Sequence, residues 1–184
     1  KLRQGLITDD SGIYFAGEDY RLCRGWISVK GQRYYFGRTA SALTGWQLIG
    51  GKRYYFGDNG AMAVGWQEID SEQYYFTAEG SPLISWQTLG GERYYFNAQG
   101  MLQTGWQQIG THRYYFAENG VMQSGWLTLE GRTYYLNEEG KLLTGWREID
   151  GNKYYFNASG IMYTGLVTME DGKYYFGTDG ILRT

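Results

Sequence analysis

Trp106, Tyr114, Tyr115 and Phe116 fall within eleven residues, with Arg113 beside them, in the stretch "GWQQIGTHRYYF". Side chains of these types present flat, electron-rich rings next to hydrogen-bond donors. An aromatic platform flanked by polar groups suits the face of a sugar ring or a quaternary ammonium. The residues that perform covalent chemistry are sparse by comparison. His112 is the sole histidine and stands in a variable position beside Thr111. A surface role is expected for it. Cys23, the sole cysteine, stands where neighbouring repeats have Leu43 and Ala63, and reads as a small packing residue. The carboxylates Asp58, Glu79, Glu118, Glu138, Glu139 and Asp179 are scattered over turns. Glycoside hydrolysis would need two of them facing each other across a cleft. The turns "GDNG" and "GTDG" invite a calcium reading, but "NAQG" and "NASG" stand at the same place without acids. Local turn chemistry accounts for all of them. No phosphate loop, zinc spacing or nucleophile elbow is present. The sequence therefore predicts a binding protein, not an enzyme, with no catalytic residue, no metal and no cofactor.

The aromatic stretch is one copy of a repeat. "SWQTLGGERYYF" stands twenty residues upstream and "GWLTLEGRTYYL" twenty downstream. Trp recurs at 26, 46, 66, 86, 106, 126 and 146, and Gly5-Leu6 and Gly165-Leu166 extend the series at both ends. Nine units start near residues 5, 25, 45, 65, 85, 105, 125, 145 and 165. Self-similarity at this period marks a repeat architecture. The reading is a single module over residues 1–184, with no linker.

The elements that hold the rings follow from one unit, "WQLIGGKRYYFGDNGAMAVG". Two short β-prone runs, Trp46–Ile49 and Lys52–Phe56, flank Gly50-Gly51. Lys30-Gly31, Glu130-Gly131 and Asp150-Gly151 occupy the same turn elsewhere. Such a pair between apolar-aromatic runs predicts a two-residue hairpin with a primed turn. Counting outward from it sets Ile49 against Lys52, Leu48 against Arg53, Gln47 against Tyr54 and Trp46 against Tyr55. Side chains alternate across a strand. One face then carries Trp46, Leu48, Arg53 and Tyr55, and the other Gln47, Ile49, Tyr54 and Phe56. The Ile49 and Phe56 positions are apolar in nearly every unit and predict the core, with the link residues Met62, Leu102, Met122, Leu142 and Met162. A lone hairpin cannot bury such a face. Stacked hairpins can, so the expected fold is all-β, a solenoid of about nine hairpin repeats.

The predicted ligand-binding residues are the ring pairs of the other face with the basic residues beside them. They are Trp46 with Tyr55 and Arg53, Trp66 with Tyr75, Trp86 with Tyr95 and Arg93, Trp106 with Tyr115 and Arg113, Trp126 with Tyr135, and Trp146 with Tyr155. The same rings can equally serve as packing between hairpins. One ring can do both, packing on one side and binding on the other.

Composition narrows the partners. The 184 residues carry a net charge of −2, with a pI near 5.5. Nucleic acid and anionic membrane surfaces want a basic field, so neither is expected. Aromatics at 18% indicate a folded chain. No apolar run approaches about 18 residues, which speaks against a membrane-spanning helix. The first residues, "KLRQGLITDD", do not read as a signal peptide.

The pattern GWxxxxGxxYYFxxxGxMxTG, carried from about Gly5 to Thr184, resembles the cell-wall-binding repeats of Gram-positive surface proteins. These include choline-binding modules, glucan-binding repeats of streptococcal glucosyltransferases and short repeats of clostridial toxins. The resemblance implies a β-hairpin solenoid on a secreted, cell wall-associated protein. In choline-binding repeats an aromatic cage uses the Trp after Gly, a second Trp before the Tyr pair, and a Tyr of a neighbouring repeat. The first matches Trp26 and its six successors. The second position holds Arg33, Arg53, Gln73, Arg93, Arg113, Thr133 and Lys153 instead. The glucan-binding and toxin repeats carry Lys or Thr there, and that likeness implies carbohydrate. The expected function is a non-catalytic module binding cell-wall polysaccharide or α-glucan. The alternatives are a spacer or protein-adhesion rod, and a choline-binding anchor to teichoic acid.

Overall fold

The computed structural model describes residues 3–183; Lys1, Leu2 and Thr184, which the expected module includes, lie outside the described residues. The described residues contain no helix. Nine antiparallel hairpins of five-residue strands recur every 20 residues, from Gly5–Asp9 with Gly12–Ala16 to Gly165–Met169 with Gly172–Phe176. Leu182–Arg183 adds a third strand to the last hairpin. The fold is the all-β hairpin-repeat solenoid that the period of twenty predicts. It comprises two compact units, Lys1–Ser85 with Phe96–Leu102, and Trp86–Tyr95 with Gln103–Thr184.

The register is the one counted from the turn. Trp46 stands opposite Tyr55, Gln47 opposite Tyr54, Leu48 opposite Arg53 and Ile49 opposite Lys52. It is fixed by the turn, where Gly50 and Gly51 both have positive φ, 58° and 77°. That is the type I′ geometry whose twist matches the strands. Asp70 and Ser71 adopt the same geometry without glycine, at φ 54° and 66°.

The link between hairpins is structured, not passive. After Phe56 the chain turns through Gly57–Gly60, with Gly57 N donating to Ala61 O at 2.9 Å and Gly60 N to Gly57 O at 2.8 Å. Met62 then bridges back to Phe56. Its amide donates to Arg33 O of the preceding hairpin at 2.7 Å. In the second unit Met122 N→Arg93 O, Leu142 N→Arg113 O and Met162 N→Thr133 O repeat the device at 2.8–2.9 Å. Each amide ties one repeat to the one before it, so the isolated two-stranded ribbon is not the stable element. The Met62 side chain lies against Gly80, where a Cβ would collide with its sulfur and where φ is +87°. Both facts demand glycine at that point.

The core follows the expected face and includes one position more. The phenylalanines at 36, 56, 76, 96, 116, 156 and 176, and Leu136, are at most 1% exposed. Met62, Leu102, Ile69 and Ile149 are buried, while Met122, Leu142, Met162 and the remaining residues of the Ile position are half-buried. The addition is the first tyrosine of the pair: Tyr34, Tyr54, Tyr74, Tyr114, Tyr134 and Tyr154 are buried. In the first unit Tyr74 and Phe76 cluster with Ala63 and Ile69, against Trp46 and Tyr55. In the second, Tyr154 and Phe156 cluster with Ile149, against Tyr135 and Met162. Burial holds the Tyr74 phenol above its ordinary pKa, and Arg53 partly offsets this. Burial does the same to Tyr154.

Candidate functional site

Each predicted ring pair is brought together by the hairpin register. Trp46–Tyr55, Trp66–Tyr75, Trp86–Tyr95, Trp106–Tyr115, Trp126–Tyr135 and Trp146–Tyr155 have centroids 4.9–5.2 Å apart, edge to face. This is the favourable arrangement of two ring quadrupoles. Each second tyrosine is half-buried.

The sequence does not reveal the third ring. The indoles at 26, 46, 86, 106, 126 and 146 also meet the first tyrosine of the following hairpin. Trp46 meets Tyr74 at 5.2 Å, Trp86 meets Tyr114 at 4.9 Å, Trp106 meets Tyr134 at 5.0 Å and Trp126 meets Tyr154 at 4.9 Å. The Phe of that hairpin closes the floor, as Phe76 does below Trp46 at 5.7 Å. So the packing reading holds for these six tryptophans: each is a mortise between successive repeats. Trp26 has the same environment, with Tyr35 at 5.2 Å and Tyr54 at 5.0 Å, and belongs with the predicted set, which contains only its six successors.

Packing consumes only the inner side of the indoles. Their outer side is where the repeats differ. The residue two positions before the second tyrosine is diagonal to Trp on the same face, within reach of a long side chain. Where it is arginine, the guanidinium lies over the indole. The separations from the ring centroid are 4.3 Å for Arg33 on Trp26, 3.7 Å for Arg53 on Trp46, 4.6 Å for Arg93 on Trp86 and 4.8 Å for Arg113 on Trp106. Arg53 is further held by donating from Nη1 to Gln99 O at 2.9 Å. These are cation–π contacts on partly exposed rings. At Trp126 and Trp146 the position holds Thr133 and Lys153, and among the described residues no cation lies over either ring. Exposure follows this division. The four arginine-covered indoles are half-buried, whereas Trp126 and Trp146 are 44% and 37% exposed. Trp66, with Gln73 at the position, is 42% exposed. Gln73 turns its amide to Glu68 Oε2, at 2.8 Å.

Two cavities sit on this face in the second unit. One of about 360 Å³ is lined by Trp146, Arg147, Glu148, Lys153, Tyr174 and Leu182. The other, about 510 Å³, brings Trp106, Arg113 and Tyr115 together with Arg132, Glu130 and Tyr134. Both are open and offer donors beside ring faces. His112 is exposed, its Nδ1 3.1 Å from Thr111 Oγ1. The Asn of the "NAQG"-type turns accepts backbone amides, as Asn97 Oδ1 does from Gln99 N at 2.9 Å and Met101 N at 3.0 Å. Asp179 does the same for Ile181 N, which with Arg183 holds its carboxyl below the ordinary range. Asp179 and the turn asparagines are thus engaged with their own backbone, and Glu139 with Lys141.

Twenty-residue hairpins, locked by an indole into the next hairpin and leaving that indole's outer side to solvent or to a single arginine, define a hairpin-repeat solenoid with aromatic rings at a fixed place in each unit. The chain belongs to the choline-binding repeat family, which it matches over residues 23–64, 103–142 and 143–180. Residues 64–81 and 84–100 match a putative cell wall binding repeat. No curated protein matches the chain. Among solved structures, it is similar to choline binding protein F from Streptococcus pneumoniae, crystallised in the presence of a peptidoglycan analogue, a tetrasaccharide-pentapeptide. The identity is 29% and the TM-score 0.82, over 94% of this chain and 61% of that one. CbpJ from the same species is 25% identical with a TM-score of 0.79, over 98% and 88%. The modular autolysin LytC of S. pneumoniae is 25% identical with a TM-score of 0.68, over 98% of this chain and 42% of that one. The chain therefore spans about three-fifths of choline binding protein F and less than half of the autolysin.

Proposed function

We propose that this chain is a non-catalytic binding module that holds an extracellular, cell wall-associated protein on a wall polysaccharide or α-glucan. The nine units would serve as one array over residues 1–184. The observation that carries the reading is the row of indole–phenol pairs whose inner sides lock the repeats together, while their outer sides face solvent or a single partly exposed arginine. Basic and polar side chains flank every pair, so a sugar stacked on the ring finds donors for its hydroxyls. Each such site is shallow and weak alone, and several at fixed spacing on one scaffold bind a repetitive polymer by avidity. The peptidoglycan analogue present with choline binding protein F is consistent with a wall glycan as partner.

A second reading, a choline-binding anchor to teichoic acid, is favoured by the family match and by the exposed faces of Trp126 and Trp146, over which no guanidinium lies among the described residues. Sedimentation separates the readings. The chain is spun with purified Gram-positive cell walls, with the same walls stripped of teichoic acid, and with insoluble α-glucan. Retention on stripped walls or glucan supports the glycan reading, and retention lost on stripping supports the choline anchor. Indifference to all three refutes both and leaves a spacer rod.

A further inference from the structure

The seven indole sites are not equivalent, and the difference lies in one side chain. Arg33, Arg53, Arg93 and Arg113 each place a guanidinium 3.7–4.8 Å from an indole centroid. That is the place an external cation would take over the same ring, within the roughly 6 Å over which the quadrupole attracts. A ring face accommodates one cation at a time, and a second positive charge beside the first is repelled. Trp126 and Trp146 keep the two phenol walls of the other sites, Tyr135 with Tyr154 and Tyr155 with Tyr174, at 4.9–5.1 Å. Among the described residues they have no guanidinium above them. Their larger exposure is the counterpart of that missing cover.

We propose that the four arginines are built-in occupants of their sites, so that organic cations bind at Trp126 and Trp146 in preference to Trp26, Trp46, Trp86 and Trp106. This rests on the reading of the indole row as the binding face. Trp126 is the better of the two, because Thr133 is neutral, while Lys153 lines the cavity at Trp146. The four covered sites are left to neutral or anionic groups, for which a stacked guanidinium is a donor and not a competitor. The arginine position thereby sets specificity repeat by repeat on an unchanged scaffold.

The test uses tetramethylammonium as probe and the indole Nε1–H signals of the whole chain, assigned by single Trp→Phe variants. Wild type should show the signals of Trp126 and Trp146 moving with added salt, against a sodium chloride control. Those of Trp26, Trp46, Trp86 and Trp106 should respond with about two- to fivefold lower apparent affinity, the cost of displacing a surface cation–π partner. Arg113→Ala should bring Trp106 into the responding group, since its guanidinium is the most distant of the four and the most easily spared. Arg113→Gln serves as a second variant should the alanine lose packing, and leaves a neutral side chain in place. Equal response of covered and uncovered indoles in wild type overturns the proposal. So does a Trp106 signal that stays silent in both variants, or a chain in which no indole responds. Wall sedimentation is independent of these outcomes: a chain that binds walls but shows no division among its indoles retains its proposed function and loses this inference.

Discussion

Replacing Trp106 with alanine tests whether the indoles hold the repeats together. Full burial of a Trp makes Trp→Ala cost about 3–5 kcal/mol. Trp106 is half-buried, so about 2 kcal/mol is expected from the lost packing on Tyr115 and Tyr134, at 5.1 and 5.0 Å. Arg113, 4.8 Å from the ring centroid, adds about 0.5–1 kcal/mol at an exposed site. The total is about 3 kcal/mol. Trp126, 44% exposed and without a guanidinium, should cost about 1 kcal/mol less. Urea denaturation followed by near-ultraviolet circular dichroism reads both variants. Because stability in repeat chains is a sum of local terms, amide exchange at Leu142, whose amide bonds to Arg113 O, gives a local check. The double variant with Arg113→Ala should show a coupling of about 0.5–1 kcal/mol. If Trp106→Ala costs under about 1 kcal/mol, or no less is lost at Trp126, the indole is not the mortise that its geometry indicates.

Two further outcomes are expected. Ser85 holds φ 63° where the other units place glycine with φ 66–85°, so Ser85→Gly should raise stability by about 1 kcal/mol, read as a higher urea midpoint. An unchanged or lower midpoint would mean that Ser85 contributes a contact worth more than its strained backbone. Burial raises the phenol pKa of Tyr74 and Tyr154, so the native state favours their neutral forms. Their contribution is complete below the unfolded value of about 10 and is lost as pH rises through the raised native values. The melting temperature should fall above about pH 10, and tyrosinate absorbance should rise in two stages, the later one with unfolding. A single stage with an unchanged melting temperature would contradict the burial of these rings.

The fold was legible because each level of the sequence agrees with the next. The period of twenty fixes the unit, Gly50-Gly51 fixes the turn, and the turn fixes the pairing of Trp46 with Tyr55 by counting alone. What counting within a unit cannot supply is contact between units. The burial of Tyr54 and Tyr74 comes from the indole of the preceding hairpin, and nothing inside "KRYYF" says that its first tyrosine is roofed while its second is not. Alternation places Tyr54 on the core side, but tyrosine also suits a surface, so residue type alone does not put it in the core. The amide of Met62 bonding to Arg33 O is hidden for the same reason: the link looks like spacer until the preceding strand lies beside it.

The site was legible in its residue types and not in its state. That Arg53 shares a face with Trp46 follows from alternation, and the sequence presents it as a donor waiting for a ligand. The structure gives it a partner already, the indole itself at 3.7 Å. A diagonal arginine on a two-stranded ribbon has a long flexible stem with which to fold back, and an exposed ring face is the nearest place to rest a weakly hydrated planar cation. A threonine at the same position is too short to do so, and Trp126 stands open. The choice between a closed and an open ring is thus made at one variable position, by side-chain length and charge, while the hairpin, the turn and the mortise stay the same. Repeats built in this way can change the outer side of the indole and keep the tie between hairpins, because that tie is made by the backbone carbonyl of the variable residue, which arginine and threonine supply alike.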